Sequence, residues 1–269
     1  MISSGHIVDA IALSSTLKQY RTASQSDTHA SIGFEINRWL RAKPLNIKEA
    51  AQFFEMFEHL GNCGLGVWHY GLSDESGLIG VTSFGTTCFS NCRGRLSGLA
   101  EQFGMPIYQI ARGGTSDASP FNAPSRVLSS CLKQFQLDHG ECILVAYADR
   151  AFNEMGTIYQ ACNAVYTGKT DPKGQSNYIV QGKWMSGWSV RKRFGSRSMQ
   201  MLRKIDENVI GIPLTSKYRY LFVLAAPTRK KQILKALGPI SQTYPKRETE
   251  CIASMSVKEL ISNRAIRIK

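Results

Sequence analysis

The chain has 269 residues, 43% hydrophobic and 10% aromatic, which is enough to bury a substantial core. Its 23 glycines and 9 prolines are ordinary usage and exclude collagen-like and wholly disordered classes. Against 20 Asp and Glu stand 33 Lys and Arg, a formal net charge of +13 that favours polyanionic partners, nucleic acid or an anionic membrane surface.

Residues 1–30 are rich in Ser, Thr, Gln and Ala with little periodicity, and 1–40 read as an N-terminal arm or irregular cap. The first residues lack a basic region and their apolar stretch is broken by Asp9, so they make a poor secretory signal. No run approaches the ~20 apolar residues of a membrane span. The expectation is a soluble, cytoplasmic protein. The spacing of Ala50, Phe53, Phe54 and Phe57 predicts a helix over about 46–60, capped by Asn46 and ended by Gly61. A hairpin follows, Val67–Leu72 and Leu78–Phe84 about a turn at Asp74–Gly77. A strand over 106–111 then leads into a polar loop, Gly113–Phe121.

Asn122 as cap and Pro124 in the first turn open a helix over 122–137, with the apolar stripe Val127, Leu128, Cys131, Leu132 and Phe135. The continuous run Cys142–Ala148 predicts a strand buried on both faces, ending at Asp149. A helix fits 156–165, with Tyr159, Asn163 and Tyr166 on one face and Ile158, Ala161, Cys162 and Val165 as the core stripe. Short strands fit Val165–Gly168 and Tyr178–Val180, and a last one Tyr218–Ala225. Strands and helices in this order predict an α/β domain.

Seven cysteines, at 63, 88, 92, 131, 142, 162 and 251, are odd in number and several lie in apolar segments, which argues against a disulfide framework. Cys88 and Cys92 have no matching pair at zinc spacing. There is no Gly-x-Ser-x-Gly elbow, and His59 and His69 lack a catalytic motif and read as packed or surface residues.

Three places could carry chemistry. Arg112, Gly113 and Gly114 stand just past a strand and before a helix start, where free backbone N–H groups suit an anion such as a pyrophosphate; an ordinary connection is the alternative. Asp149 ends a central strand, where open α/β sheets place ligands, and could serve as general base, as hard metal ligand or simply as a turn cap. Tyr159 follows it by one short loop, so both could face one cleft. The third place is the tract 183–204, which holds seven Lys and Arg and no acid, with Trp184, Trp188 and Phe194 interleaved. Basic side chains engage phosphates and rings stack on exposed nucleobases. Arg191, Lys192, Arg193, Arg197 and Trp184 are the expected DNA contacts. Arg229, Lys230, Lys231 and Lys235 read as a helix surface.

The segments Ala111-Arg112, Asn122-Ala-Pro-Ser125-Arg126, Ala146-Tyr-Ala-Asp149, Gly156-Thr-Ile-Tyr159-Gln160-Ala-Cys-Asn163 and Tyr166-Thr-Gly168 resemble the Mom-type phage adenine-modification proteins. Arg193-Phe-Gly195-Ser-Arg197-Ser, Lys217-Tyr-Arg-Tyr220 and Tyr244-Pro-Lys-Arg247 resemble that family's C-terminal signatures. The likeness spans about residues 46–247. It implies a fold related to the GNAT acyltransferases, an α/β architecture with a central mixed sheet flanked by helices and a basic C-terminal extension. It places a catalytic domain over 41–247, the basic tract included, and a tail over 248–269.

The implied activity adds a methylcarbamoyl-type group to the exocyclic amine of adenine in double-stranded phage DNA, protecting it from host restriction in the bacterial cytoplasm. The implied cofactors are acetyl-CoA or a related acyl-CoA, with iron proposed to assist. Asp149, Tyr159 and Arg112 match the family's functional Asp, Tyr and Arg. Asp149 and Tyr159 are thus the expected catalytic pair, Arg112, Asn122 and Ser125 the expected cofactor contacts, and Asp149 and His59 the expected metal ligands. The chain has Glu58-His59 where the family shows His-Tyr, and Ser186 and Trp188 where it often has His and Arg. An adenine inside a duplex is inaccessible, so such an enzyme must flip it out. Two other readings stay open: an N-acyltransferase acting on a protein or small amine, and a non-catalytic nucleic-acid-binding protein.

Overall fold

The computed structural model describes residues 40–246, apart from 59–60, 76, 87–94, 118, 121, 151–153 and 173–174. His59, the predicted arm and the predicted tail therefore lie outside the described residues. The chain divides into two compact units. The first takes in the described residues up to Tyr147, then Gly156–Gly168 and Arg219–Tyr244; the second takes in those of Ala148–Met155 and Lys169–Tyr218 and the chain from Pro245.

The first unit begins with β1 (Lys43–Leu45) and α1 (Ile47–Phe57). Asn46 caps α1 as its sequence predicts. Its Oδ1 accepts from the N–H groups of Lys48 and Glu49 at 2.9 and 3.0 Å, and the Glu49 carboxylate accepts from the Asn46 N–H at 2.9 Å. Ala50, Phe53 and Phe54 of α1 bury against Val81. The helix stops at Phe57, one turn short of Gly61. The hairpin of β2 (Trp68–Asp74) and β3 (Gly77–Thr86) turns where expected, with Gly77 at φ 120°, a left-handed value that favours glycine.

After α2 (Arg95–Gln102), β4 (Ile107–Thr115) runs antiparallel to β3. It is longer than predicted: Gly113 and Gly114, expected in a loop, pair with Thr82 and Val81. Ladder hydrogen bonds override the glycine signal here. Helix α3 (Ala123–His139) packs on the sheet face opposite α1, through Phe135 against Phe84 (ring centroids 4.4 Å apart) and Tyr70. Strand β5 (Cys142–Asp149) is buried without interruption from Cys142 to Ala146, as the apolar run predicts.

The helix foreseen over 156–165 is instead the short α4 (Thr157–Ala161), and the chain re-enters the sheet as β6 (Val165–Lys169). Asn163 adopts φ 59°, which ends the helical turn. The assumed helical periodicity thus fails. Ile158 is 42% exposed instead of being core, and Tyr166 is buried in β6. Strand β10 (Lys217–Leu224) and α7 (Pro227–Leu237) complete the unit; Leu221, Val223, Ile233 and Leu237 share a core with Ile143 and Val145. The strand order is β1-β2-β3-β4-β5-β10-β6, a mixed sheet flanked by helices.

In the second unit, β7 (Ser176–Val180) lies between β8 (Lys183–Met185) and β9 (Ile210–Pro213), antiparallel to both. Helices α5 (Gly187–Phe194) and α6 (Met199–Arg203) pack over them; Tyr178, Val180, Val190, Leu202 and Val209 form the core. No helix among the described residues is long and apolar enough to cross a membrane.

Candidate functional site

The first unit contains an interruption in its sheet. β4 and β5 pair in parallel only over Ile107–Gln109 against Ile143–Val145, after which β4 runs on to Thr115. On its other edge β4 stays paired with β3, but with a bulge: Ser83 faces Arg112 and Phe84 faces Ile110, so Ala111 is the extra residue. A bulge bends its strand and re-aims the side chains beside it. The result is a stretch of β4 edge, from Ile110 onward, that β5 does not cover. Unpaired strand edges present backbone donors and acceptors to whatever enters.

Arg112 lies at the bulge. One guanidinium nitrogen donates to the carbonyl of its neighbour Ala111 at 2.9 Å, while Nε is buried without a hydrogen-bond partner among the described residues. A buried donor left unsatisfied costs free energy, so this is a group that a ligand can complete. Gly64, at φ 58°, lets the chain pass against the guanidinium: a Cβ there would stand 3.1 Å from Cζ. On the same row across the sheet, His69 pairs with Ser83 and Ser83 with Arg112. His69 Nδ1 and Ser83 Oγ share a 2.6 Å hydrogen bond, and both residues are buried. Burial holds the His69 imidazole below its ordinary pKa, and so neutral near pH 7. Burial also raises the thiol of Cys63, with the Arg112 charge opposing. Sequence patterns do not reveal this row because its residues stand on three different strands.

Of the predicted cofactor contacts, Asn122 stands at the N-cap position of α3 but does not cap it. Its backbone is at φ −89°, ψ 3° and its side chain makes no capping bond; its carbonyl accepts from Ser125 Oγ at 3.1 Å. The preceding loop is held instead by Ser119 Oγ and the Ser116 N–H, both donating to the Ile79 carbonyl. Ser125 also accepts through its carbonyl from the Cys162 thiol at 3.4 Å, which ties α4 to the start of α3.

Tyr159 projects from α4 into an aromatic group, its ring 5.5 Å from Tyr220 and 6.1 Å from Phe222. Tyr220 is fully buried and its hydroxyl accepts from Gln160 at 3.0 Å. Gly156 before the helix makes this packing possible. It adopts φ 71°, and a Cβ there would lie 2.5 Å from the Tyr220 ring.

Asp149 belongs to the second unit. Its carboxylate forms a 2.8 Å ion pair with Lys217, Thr215 Oγ1 stands 3.5 Å away, and its N–H donates to Glu154 at 3.0 Å. In the same unit Arg150 and Lys169 are both set over the Tyr218 ring, at 5.6 and 5.7 Å. Among the described residues no three His, Cys, Asp or Glu come together as a metal site.

The basic tract surrounds α5. Ser186 caps it, accepting from Ser189 N–H at 3.1 Å, and Gly195 at φ 75° ends it. Gly187, Val190 and Phe194 turn inward, so Phe194 serves the core and is not free to stack on a base. Arg191, Lys192, Arg193 and Arg197 are exposed. The side chain of Trp184 lies outside the described residues.

Residues 40–246 match the Mom protein family. No curated protein matches the sequence. Several solved acetyltransferases align with the structure. Arabidopsis thaliana NAA60 in complex with acetyl-CoA aligns at 10% identity, covering 68% of this chain and 98% of that one, with a TM-score of 0.40. The ribosomal-protein-S5-alanine acetyltransferase of Vibrio fischeri aligns at 10% identity, 72% and 97% coverage and a TM-score of 0.36. An N-acetyltransferase from Staphylococcus aureus Mu50 aligns at 13% identity, 75% and 89% coverage and 0.33.

Proposed function

Because the chain belongs to the Mom protein family, we propose that it is a transferase that moves a group from an acyl-CoA to the exocyclic amine of adenine in double-stranded DNA. The observation that carries this reading is the uncovered β4 edge beside the Ala111 bulge, with the unsatisfied Arg112 Nε at its side. An extended thioester ligand has backbone groups to bind there, and backbone N–H groups aimed at a thioester carbonyl stabilise the charge that develops on its oxygen. Arg112 and the start of α3 at Asn122–Ser125 would take the negative phosphates of the CoA.

In the transfer, the adenine nitrogen bonds to the acyl carbon, the carbon–sulfur bond breaks, the amine loses a proton and the departing thiolate gains one. Adenine's amine is delocalised into its ring and needs a base. Asp149 is assigned that role and Tyr159 the role of proton donor. The step as written gives an acyladenine; the methylcarbamoyl-type adduct implied by the family differs from acetyl by one NH, a mass difference that tells the two products apart. The expected outcome is protection of phage DNA from restriction.

The test is a nucleoside digest of DNA from cells expressing the chain, read by mass spectrometry. A modified deoxyadenosine, absent from cells expressing Asp149→Asn, supports the reading. Unmodified DNA together with measurable acyl-CoA binding would turn it to an N-acyltransferase of a protein or small amine. Unmodified DNA without acyl-CoA binding would leave a nucleic-acid-binding protein.

A further inference from the structure

The outward face of α5 carries one large apolar side chain, Trp188, which is 70% exposed. The helix does not need it for packing: Gly187, Val190 and Phe194 supply the inward face, and the unit closes its core with Tyr178, Val180, Leu202 and Val209. Residues 188, 191 and 192 share the outer face by helical spacing, so the indole stands among exposed Arg191 and Lys192. The Lys192 ammonium lies 5.2 Å from the indole centroid, which holds the ring in place over one face.

From this arrangement we propose that Trp188 stacks on an unpaired nucleobase of DNA, with Lys192 and Arg191 engaging the phosphates on either side. The inference rests on the proposed function, with DNA as substrate, and adds to it a residue that reads the base face and not the backbone. The chemistry selects this partner over a membrane. A membrane-seated helix needs an apolar stripe, and the apolar stripe of α5 is turned into its own core. The exposed Trp188 indole within a tract of seven cations and no acid matches a ligand that alternates phosphates with flat rings. Such a residue suits an enzyme that must deal with a base taken out of the stack.

The experiment uses the full chain and two probes, a single-stranded oligonucleotide and a duplex, each carrying 2-aminopurine, whose fluorescence is quenched by stacking. Wild type quenches the probe. Trp188→Ala weakens binding roughly tenfold at every salt concentration and leaves the salt slope unchanged, because stacking releases no counterions. Trp188→Phe retains most of the affinity and the quenching, whereas Lys192→Ala lowers the slope. If wild type binds both probes and Trp188→Ala binds equally well, the stacking role is overturned while the DNA reading stands. If wild type binds neither, both fall. Loss of self-association, or of binding to anionic vesicles, in Trp188→Ala with DNA affinity unchanged would assign the indole to another partner and end the proposal.

Discussion

His69 and Ser83 face each other across β2 and β3, joined by a 2.6 Å hydrogen bond inside the protein. The pair has a consequence for pH. Burial lowers the His69 pKa in the folded state, so the unfolded chain binds the proton more readily. The stability this confers is complete above the ordinary histidine value of about 6.5 and is lost as pH falls below it toward the folded value. The loss is at most about 1.4 kcal/mol per pH unit. Urea titrations at pH 7.5 and 5.5 measure it, and His69→Asn shows a smaller difference between the two.

Gly156 and Gly195 separate two effects of a left-handed glycine. Both have positive φ, 71° and 75°, but a Cβ at 195 meets nothing within 4 Å. Gly195→Ala therefore costs the backbone preference alone, about 1–2 kcal/mol. Gly156→Ala adds a collision with the Tyr220 ring and an overpacking cost of about 1–3 kcal/mol more. Melting temperatures of the two variants should fall in that order, and equal shifts would contradict the packing described around Tyr159.

The Asp149–Lys217 pair is partly open to water, with 21% and 43% of the side chains exposed. Such pairs contribute less than about 1 kcal/mol. Asp149→Asn should thus leave the melting temperature nearly unchanged while abolishing the modified nucleoside. A variant that loses activity only in proportion to its folded fraction would reduce Asp149 to a structural residue.

Arg112→Gln removes the charge beside the open β4 edge while keeping a polar side chain there. Charge-assisted hydrogen bonds are worth about 1.5–3 kcal/mol, so CoA affinity should drop at least tenfold. Calorimetry reads it. DNA affinity should change far less, since the expected DNA contacts are the cations of the basic tract.

Replacing Arg191, Lys192 and Arg193 together by Ala addresses the DNA backbone. Every phosphate that a cation no longer neutralises lowers the slope of log K against log salt by about 0.9. A folded triple variant with the wild-type slope would show that these cations face no phosphate.

Composition and periodicity determined a good deal of this protein. The charge excess, the Asn46 cap and the stripe of α3 were all legible, as was the uninterrupted burial of Cys142–Ala146, because each depends on neighbours close in the chain. Ordered motifs were enough to suggest the family. What the tertiary structure decided lies across strands. The Gly113-Gly114 pair reads as a loop until β3 supplies hydrogen-bond partners, and Ile158 reads as core until Asn163 ends its helix. The Ala111 bulge, the early parting of β4 from β5 and the His69–Ser83–Arg112 row depend on register between segments far apart in sequence. Register is set by packing of whole faces and by ladder hydrogen bonds, and no local pattern records it.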